Sequence, residues 1–511
     1  MRALTLRLQA IAGLAGRFPA RGRELAACAP MLLMLAIVLA PPLNHDVAAV
    51  LEFGQRWIDG EGLYSHLIDV NPPLIFVLNL LPAALAALTG VDAIVLLQLC
   101  ILGFTVFVWW LMGRVRLRTA EGPIEQLFLD MVPLLVLVGA GSDFGQREHL
   151  MVLGTLPYVM SAARRAIGEP SPHPCLVAVP AAVLFALKPH FLIIPALIEL
   201  HLLWVLGWRA YLRNAVPWIM GAAWIAYAAS LPILFPEYLR VVVPLAVGNY
   251  ISLSDLAAWQ MALLLLPFPL VWLAVRALDP PARLLGLAAL GGLAAAVLQR
   301  KGWSYHMLPV ELLATALIGM LAARWLDAKS VRLQRHRHAV ACALATLLAL
   351  GAMVTSAAPG RELNYAKGPV AEIVDALARA GERERALVLS PRVWPIYPAL
   401  NYAHVRSTLR TMTVWVLQGA YTRCPADGRR YREVDAMDWA ERLMFRTVAE
   451  DFATAPPRWA VIDRLTAIEP CGEEFRFLDY FQRNPVFAAT WSRYRLIAER
   501  NGFLIYRRAD D

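Results

Sequence analysis

The sequence predicts an α-helical polytopic membrane protein with a small C-terminal α/β domain, and three observations carry that prediction. The 511 residues are 59% hydrophobic and 17% charged, against roughly 45–50% and 25% in soluble domains. Apolar stretches of helical length recur between residues 26 and 358, separated by short arginine-rich connectors. From about residue 359 the chain turns polar and carries short strand-like runs. The expected division is therefore a transmembrane module over 1–358 and a separate domain over 359–511.

Arg2, Arg7, Arg17, Arg21 and Arg23 precede an apolar run from Ala26 to Leu43 with no small-residue cleavage site after it. This reads as a cytoplasmic basic tail followed by a first membrane helix rather than a cleaved signal. A span takes about 20 mostly apolar residues. Segments 26–43, 91–112, 124–141, 149–163, 174–187, 192–207, 215–235, 261–278, 284–299, 310–326 and 340–358 qualify.

One further stretch, 72–90, opens with Pro72-Pro73 and is interrupted by Asn79 and Pro82. Charge decides its placement. If it crosses, Arg114, Arg116 and Arg118 fall outside, and every later basic connector is inverted with them. If it lies in or dips into the outer leaflet, those arginines fall inside, as do Arg164-Arg165, Arg209, Arg213, Arg276, Arg283 and the run from Lys329 to His338. The second choice satisfies the positive-inside bias throughout. We therefore expect eleven crossings in a bacterial cytoplasmic (inner) membrane. The N-terminus is inside, residues 43–90 form a first periplasmic loop with interfacial helices, and the C-terminal domain is periplasmic.

In that domain Arg385–Ser390 and Trp459–Asp463 read as short buried strands, and 368–382 and 433–453 have helical spacing. Arg500-Asn501-Gly502, between two apolar runs within Tyr494–Arg507, is a hairpin signal. No internal repeat, glycine-rich phosphate loop or low-complexity segment is visible.

The net charge of +9 does not point to nucleic acid, because the arginines sit between apolar stretches without interleaved aromatics. Cys28, Cys100, Cys175 and Cys342 lie in or beside apolar segments and read as packing residues. Cys424 and Cys471 lie in the polar part, where a disulfide is expected if that part is periplasmic.

Under this topology the polar segments on the outer face can be read in order. The first holds Asn44-His45-Asp46, then Gln55, Arg56, Asp59, Glu61, Tyr64, His66 and Asp69-Val70-Asn71-Pro72-Pro73. Asp59 and Glu61, beside Gly60 and Gly62, read as turn residues. Asp46 stands close to a helix end at the bilayer edge, where an ionised group is costly unless it has a partner or a task. A carboxylate there can take a proton from an incoming hydroxyl.

The second segment, Ser142 to His149, packs six polar residues into a turn between two apolar spans, more than a connector needs; a cluster that merely caps helices is the plain alternative. The third is Lys188-Pro189-His190. The fourth is Gln299-Arg300-Lys301-Gly302-Trp303-Ser304-Tyr305-His306. These last two put bases on the outer face against the general bias and hold two of only four lysines. Trp303 and Tyr305 alone fit a lipid-headgroup anchor, but Arg300, Lys301 and His306 together can grip a phosphate. His45, His66 and Asp46 form no recognised metal spacing, so no cofactor is assigned; a divalent metal lacks a ligand signature.

The pattern resembles the GT-C polyprenyl-phosphate-sugar glycosyltransferases, the group that includes protein O-mannosyltransferases and aminoarabinose transferases (glycosyltransferase family 39-type). The stretches that resemble it are Asp46 after the first helix, Gly60–Tyr64 (GEGLY), Asp69–Leu74 (DVNPPL) and Gln299–Pro309 (QRKGWSYHMLP). The resemblance implies a large first outer loop and a periplasmic C-terminal domain. It also implies that Asp46 is a catalytic or acceptor-positioning carboxylate and Asp143 a second acid. Lys188, His190, Arg300, Lys301, Tyr305 and His306 would bind the donor phosphate, with His45, Asp69 and Asn71 supporting the first loop. The family often has lysine before the proline pair; here Asn71 stands there, so Lys188 or Arg300-Lys301 would take over.

The implied function is inverting transfer of a sugar from a polyprenyl-phosphate donor to an envelope acceptor, with membrane lipids around it and no nucleic-acid partner. The alternative is a transporter or flippase for lipid-linked substrates. That class puts charge at mid-membrane on broken helices and often has repeated halves; here the mid-helix regions are nearly free of charge and no repeat is visible.

Overall fold

The structure, a computed structural model, describes residues 20–250, 253, 256–381 and 383–509. Arg2, Arg7 and Arg17 of the basic tail lie outside the described residues. The chain divides into two compact units, one of Met1–Ala40, Ile101–Trp224 and Ala258–Glu362, the other of Pro41–Cys100, Ile225–Ala257 and Leu363–Asp511.

Among the described residues, seven helices are long and apolar enough to cross a bilayer. They are Ala93–Val115, Pro189–Leu206, Ala215–Leu234, Ala258–Arg276, Pro280–Gln299, Leu308–Lys329 and Arg337–Thr355, and each coincides with an expected span. The other four expected spans are also helical, at Ala20–Leu39, Pro123–Gly139, Arg147–Ala166 and Pro174–Phe185. They fall short because the apolar run is brief, or because Glu125, Asp130, Arg147, Glu148, Arg164 and Arg165 interrupt it.

Helix Pro280–Gln299 is the hub of the first unit, packing on Leu308–Lys329, Ile193–Leu206 and Arg147–Ala166. Lipid is as apolar as a leucine side chain, so helices associate there through close packing that small residues permit. Gly291 shows it: a Cβ at that position would stand 2.8 Å from Ile194 Cα. Ala258–Arg276 does the opposite and points residues such as Leu270 (72% exposed) outward, as a lipid-facing helix should.

The polar residues of this unit gather at two ends. At one, Arg324 near the end of Leu308–Lys329 binds Glu125 (2.6 Å) at the start of Pro123–Gly139 and Asp279 at the start of Pro280–Gln299. Asp327 accepts hydrogen bonds from the Ile124 and Glu125 amides at 3.0–3.1 Å. At the other end lie the segment before Arg147–Ala166, Lys188, and the chain between Gln299 and His306. Basic connectors and candidate-site segments thus alternate along the chain and separate in space.

The second unit is built on a five-stranded sheet with order β2-β1-β3-β5-β4: β1 Arg385–Leu389, β2 Arg406–Ser407, β3 Trp459–Asp463, β4 Tyr494–Arg500 and β5 Phe503–Arg508. β1 runs parallel to β2 and β3; β5 is antiparallel to β3 and β4. β3 is buried along its length, as an alternating pattern would not be. Asn501 and Gly502, both at positive φ (46° and 80°), make the tight turn between β4 and β5. Helix Trp439–Thr454 takes up most of the expected 433–453, whereas Pro369–Ala376 fills only the first part of the expected 368–382.

Helix His45–Ile58 and the 17-residue helix Pro73–Thr89 pack on each other in this unit. The second is shorter than the roughly 20 residues of a span.

Candidate functional site

In the first unit, Lys188 Nζ lies 2.5 Å from Glu148 Oε1, and both side chains are buried. Lys188 is extended (φ −142°, ψ 136°), the conformation that a following proline imposes. Glu148 sits in the first turn of Arg147–Ala166, where the exposed amides of a helix start favour negative charge. Lys188 Nζ also stands 5.1 Å from the Tyr305 ring centroid, 5.8 Å from that of Phe191 and 3.5 Å from Gln299 Oε1. A desolvated ammonium over aromatic faces gains cation–π attraction.

Lys301 is buried as well and lies 5.7 Å from the Trp303 ring. Arg300, by contrast, is exposed; it ends the Pro280–Gln299 helix in the left-handed conformation, φ 57°. Tyr305 meets His306 edge-on at 4.4 Å. Burial, reinforced by the charges of Lys188, His190, Arg147 and Lys301, pushes the His306 imidazole down to about 2, so it is neutral at physiological pH. His190 occupies the turn Pro189–Leu192, its ring edge-on to Phe191 and within the fields of Lys188 and Arg147.

Lys188, His190, Lys301, Tyr305 and His306 are thus brought together. Asp143, half-buried, closes the short turn Gly141–Asp143 five residues before Glu148. Arg147, Glu148 and Gln299 complete the cluster although sequence reasoning did not select them individually. For Arg147 and Glu148 the signal was available, in a guanidinium and a carboxylate opening a helix whose middle is mostly apolar; Gln299 instead ends the helix Pro280–Gln299.

In the second unit, Asp46 begins helix His45–Ile58, and Asn44 Oδ1 accepts the Asp46 and Val47 amides at 3.0 and 3.4 Å. The Asp46 side chain is about one-fifth exposed, with His45 Nε2 3.7 Å from its Oδ1. His45 in turn packs edge-on against Trp394 at 6.2 Å. The helix start is fixed by Tyr402 Oη, which accepts the Leu43 amide (2.9 Å), and by Asn401, which donates to Ala48 O (3.0 Å).

Asp69 accepts both the backbone and the side-chain amide of Asn71, at 2.9 and 2.6 Å, while Asn71 O accepts from Tyr64 Oη at 2.5 Å. Asn71, standing where the resembling family often has lysine, is therefore engaged in the bend before the proline pair.

Glu61 and Asp59 do more than turn the chain. Glu61 binds Arg56 (2.6 Å) and Arg385 of β1 (2.6 Å), and Asp59 pairs with Arg406 of β2. Their reading as plain turn residues is corrected: the turn is the anchorage of the first loop on the sheet. Arg56 is buried, lies 3.7 Å from Glu52 and donates to Leu409 O at 2.9 Å. Cys424 and Cys471 are joined, their Cα atoms 4.7 Å apart. Among the described residues no three His, Cys, Asp or Glu side chains converge to hold a metal ion.

This architecture, apolar helices plus a small C-terminal sheet, is similar to that of solved structures over nearly the whole chain. In particular it matches the crystal structure of ArnT from Cupriavidus metallidurans in the apo state, with a TM-score of 0.52 and 14% identity over 96% of this chain and 99% of that one. The same protein bound to undecaprenyl phosphate matches with a TM-score of 0.51 and 12% identity, over 96% and 98%. No family model and no curated protein matches the sequence. At such identity the likeness establishes the fold.

Proposed function

We propose that the protein is an inverting glycosyltransferase of the bacterial inner membrane, moving a sugar from a polyprenyl-phosphate donor to a periplasmic-side acceptor. The observation that carries this reading is the buried group of Arg147, Lys188 and Lys301 around aromatic rings, on a fold shared with a protein crystallised with undecaprenyl phosphate. Cations held in a water-poor pocket stabilise charge far better than in water.

The acceptor hydroxyl oxygen forms a bond to the anomeric carbon as the bond from that carbon to the phosphate oxygen breaks. The departing electron pair stays on the phosphate, facing Lys188, Lys301 and Arg147, while neutral His306 can donate a hydrogen bond to it. The acceptor's proton passes to Asp46, oriented by His45, in the general-base role. One displacement at one carbon inverts it. Asp143 is proposed as a second acid that positions the acceptor.

Purified protein given radiolabelled polyprenyl-phosphate sugar and envelope extract should turn over. Asp46→Asn should lower transfer by about a hundredfold or more with donor binding retained, whereas Lys188→Ala should lose donor binding. Full transfer by Asp46→Asn removes Asp46 from the mechanism. Vectorial movement of the lipid without any transfer refutes the enzyme reading and favours a flippase.

A further inference from the structure

At the end of the first unit away from Lys188 there is a second basic feature that the proposed reaction does not use. A groove of about 190 Å³ is lined by His201, Trp204, Trp272, Arg276, Arg283 and Leu287. Leu287 is buried and forms an apolar base, while Arg276 and Trp204 are exposed at the rim. Arg276 and Arg283 both act electrostatically on His201. Arg276 lies 5.1 Å over the Trp204 ring, and Arg283 donates to Leu278 O at 2.6 and 3.1 Å.

The acids nearest in the chain are engaged elsewhere. Asp279 pairs with Arg324, and Glu199 with Arg165 at 2.7 Å. Among the described residues neither Arg276 nor Arg283 makes an ion pair with a carboxylate. The site is therefore positive, narrow and apolar-floored at the ends of three membrane helices.

Those features select an amphiphile over a free anion. A dissolved phosphate gains nothing from Trp204, Trp272 and Leu287. A phospholipid can lay its acyl chains along those rings while its phosphate meets the guanidiniums, with tryptophan at headgroup level. We propose that this groove binds the headgroup of an anionic phospholipid, separately from the donor site. Arg283 and Gln299 are sixteen residues apart on the helix Pro280–Gln299, which at 1.5 Å rise per residue puts the two regions about 24 Å apart along it. The span is close to the thickness of a bilayer core, so the lipid belongs to the leaflet opposite the donor phosphate.

Native mass spectrometry of the full-length protein, titrated with phosphatidylglycerol, phosphatidylcholine or inorganic phosphate, tests this. Phosphatidylglycerol should bind preferentially, and the double variant Arg276→Gln/Arg283→Gln should weaken that binding by about thirtyfold. Arg276→Lys/Arg283→Lys should retain most of it, which controls for a misfolded double variant, and Arg213→Gln should leave it unchanged. Equal binding of phosphatidylcholine, binding of inorganic phosphate as tight as of the lipid, or an unchanged affinity in the glutamine variant each overturns the proposal. Sugar transfer should persist in the variants, so failure here is distinguishable from failure of the transferase reading.

Discussion

Glu148 and Lys188 illustrate how much a single residue depends on its partner. Both are buried, and removing one member of a buried ion pair leaves a stranded charge at a cost of about 3–5 kcal/mol. Replacing both with uncharged residues of similar size is often near neutral. Glu148→Gln and Lys188→Met should each lower the melting temperature in detergent, and the double variant should recover most of the loss. Donor binding should stay absent wherever Lys188 is gone. Additive losses in the double variant would show that the two do not act as a pair.

Glu61 gives a pH prediction at the same scale. Burial opposes its ionisation, but the hydrogen bonds and charges of Arg56 and Arg385 win and lower its pKa from 4.5. A lowered carboxylate stabilises the folded state above its unfolded value and loses that contribution as pH falls through the folded value. Glu52 runs the other way: burial outweighs Arg56 and raises its pKa, so its contribution fades as pH rises. Below pH 4.5, hydrogen exchange at 59–62 and along β1 should quicken, and Glu61→Gln should show the fast exchange already at neutral pH. Exchange in Glu61→Gln that still steepens on acidification would assign the effect to another group.

At the scale of elements, the first loop and the sheet are stitched by contacts far apart in sequence. Glu61 reaches Arg385, Asp59 reaches Arg406, and the Ile68 amide donates to Arg410 O at 2.6 Å. Strand patterns at 385–390 and 459–463 and the Asn501-Gly502 turn were legible because short apolar runs, β-branched content and turn chemistry are local. The anchorage was not, since Glu61 and Asp59 beside glycines look the same whether they cap a turn or bind a sheet. The Cys424–Cys471 bond closes a separation of 47 residues within the same unit. Mass spectrometry of non-reduced protein should find the two joined, and reduction should lower stability by about 2–5 kcal/mol. Two free thiols in protein recovered from the cell envelope would contradict this.

For the whole molecule, the proposed topology has eleven crossings and a periplasmic C-terminal domain. Arg116, Arg118, Arg165 and Arg324 belong to connectors or helix ends on the side assigned to the cytosol, where basic residues are favoured. An alkaline phosphatase fused after Asp511 should be active in cells and a β-galactosidase fused there inactive. The reverse pair of results would invert the orientation and, with it, the face on which any sugar transfer takes place.

The sequence by itself determined the solvent of this protein, the helical character of each apolar segment, and which four polar segments were worth inspecting. Hydropathy, charge bias and turn residues are summed over neighbours in the chain, so they can be read without a fold. Only the tertiary structure decided that Glu148 faces Lys188 forty residues away, that Lys301 turns inward while Arg300 turns out, and that Arg276 and Arg283 share a groove. Ion pairing, burial and shape depend on which helix ends meet, and close packing around glycines such as Gly291 settles that in three dimensions.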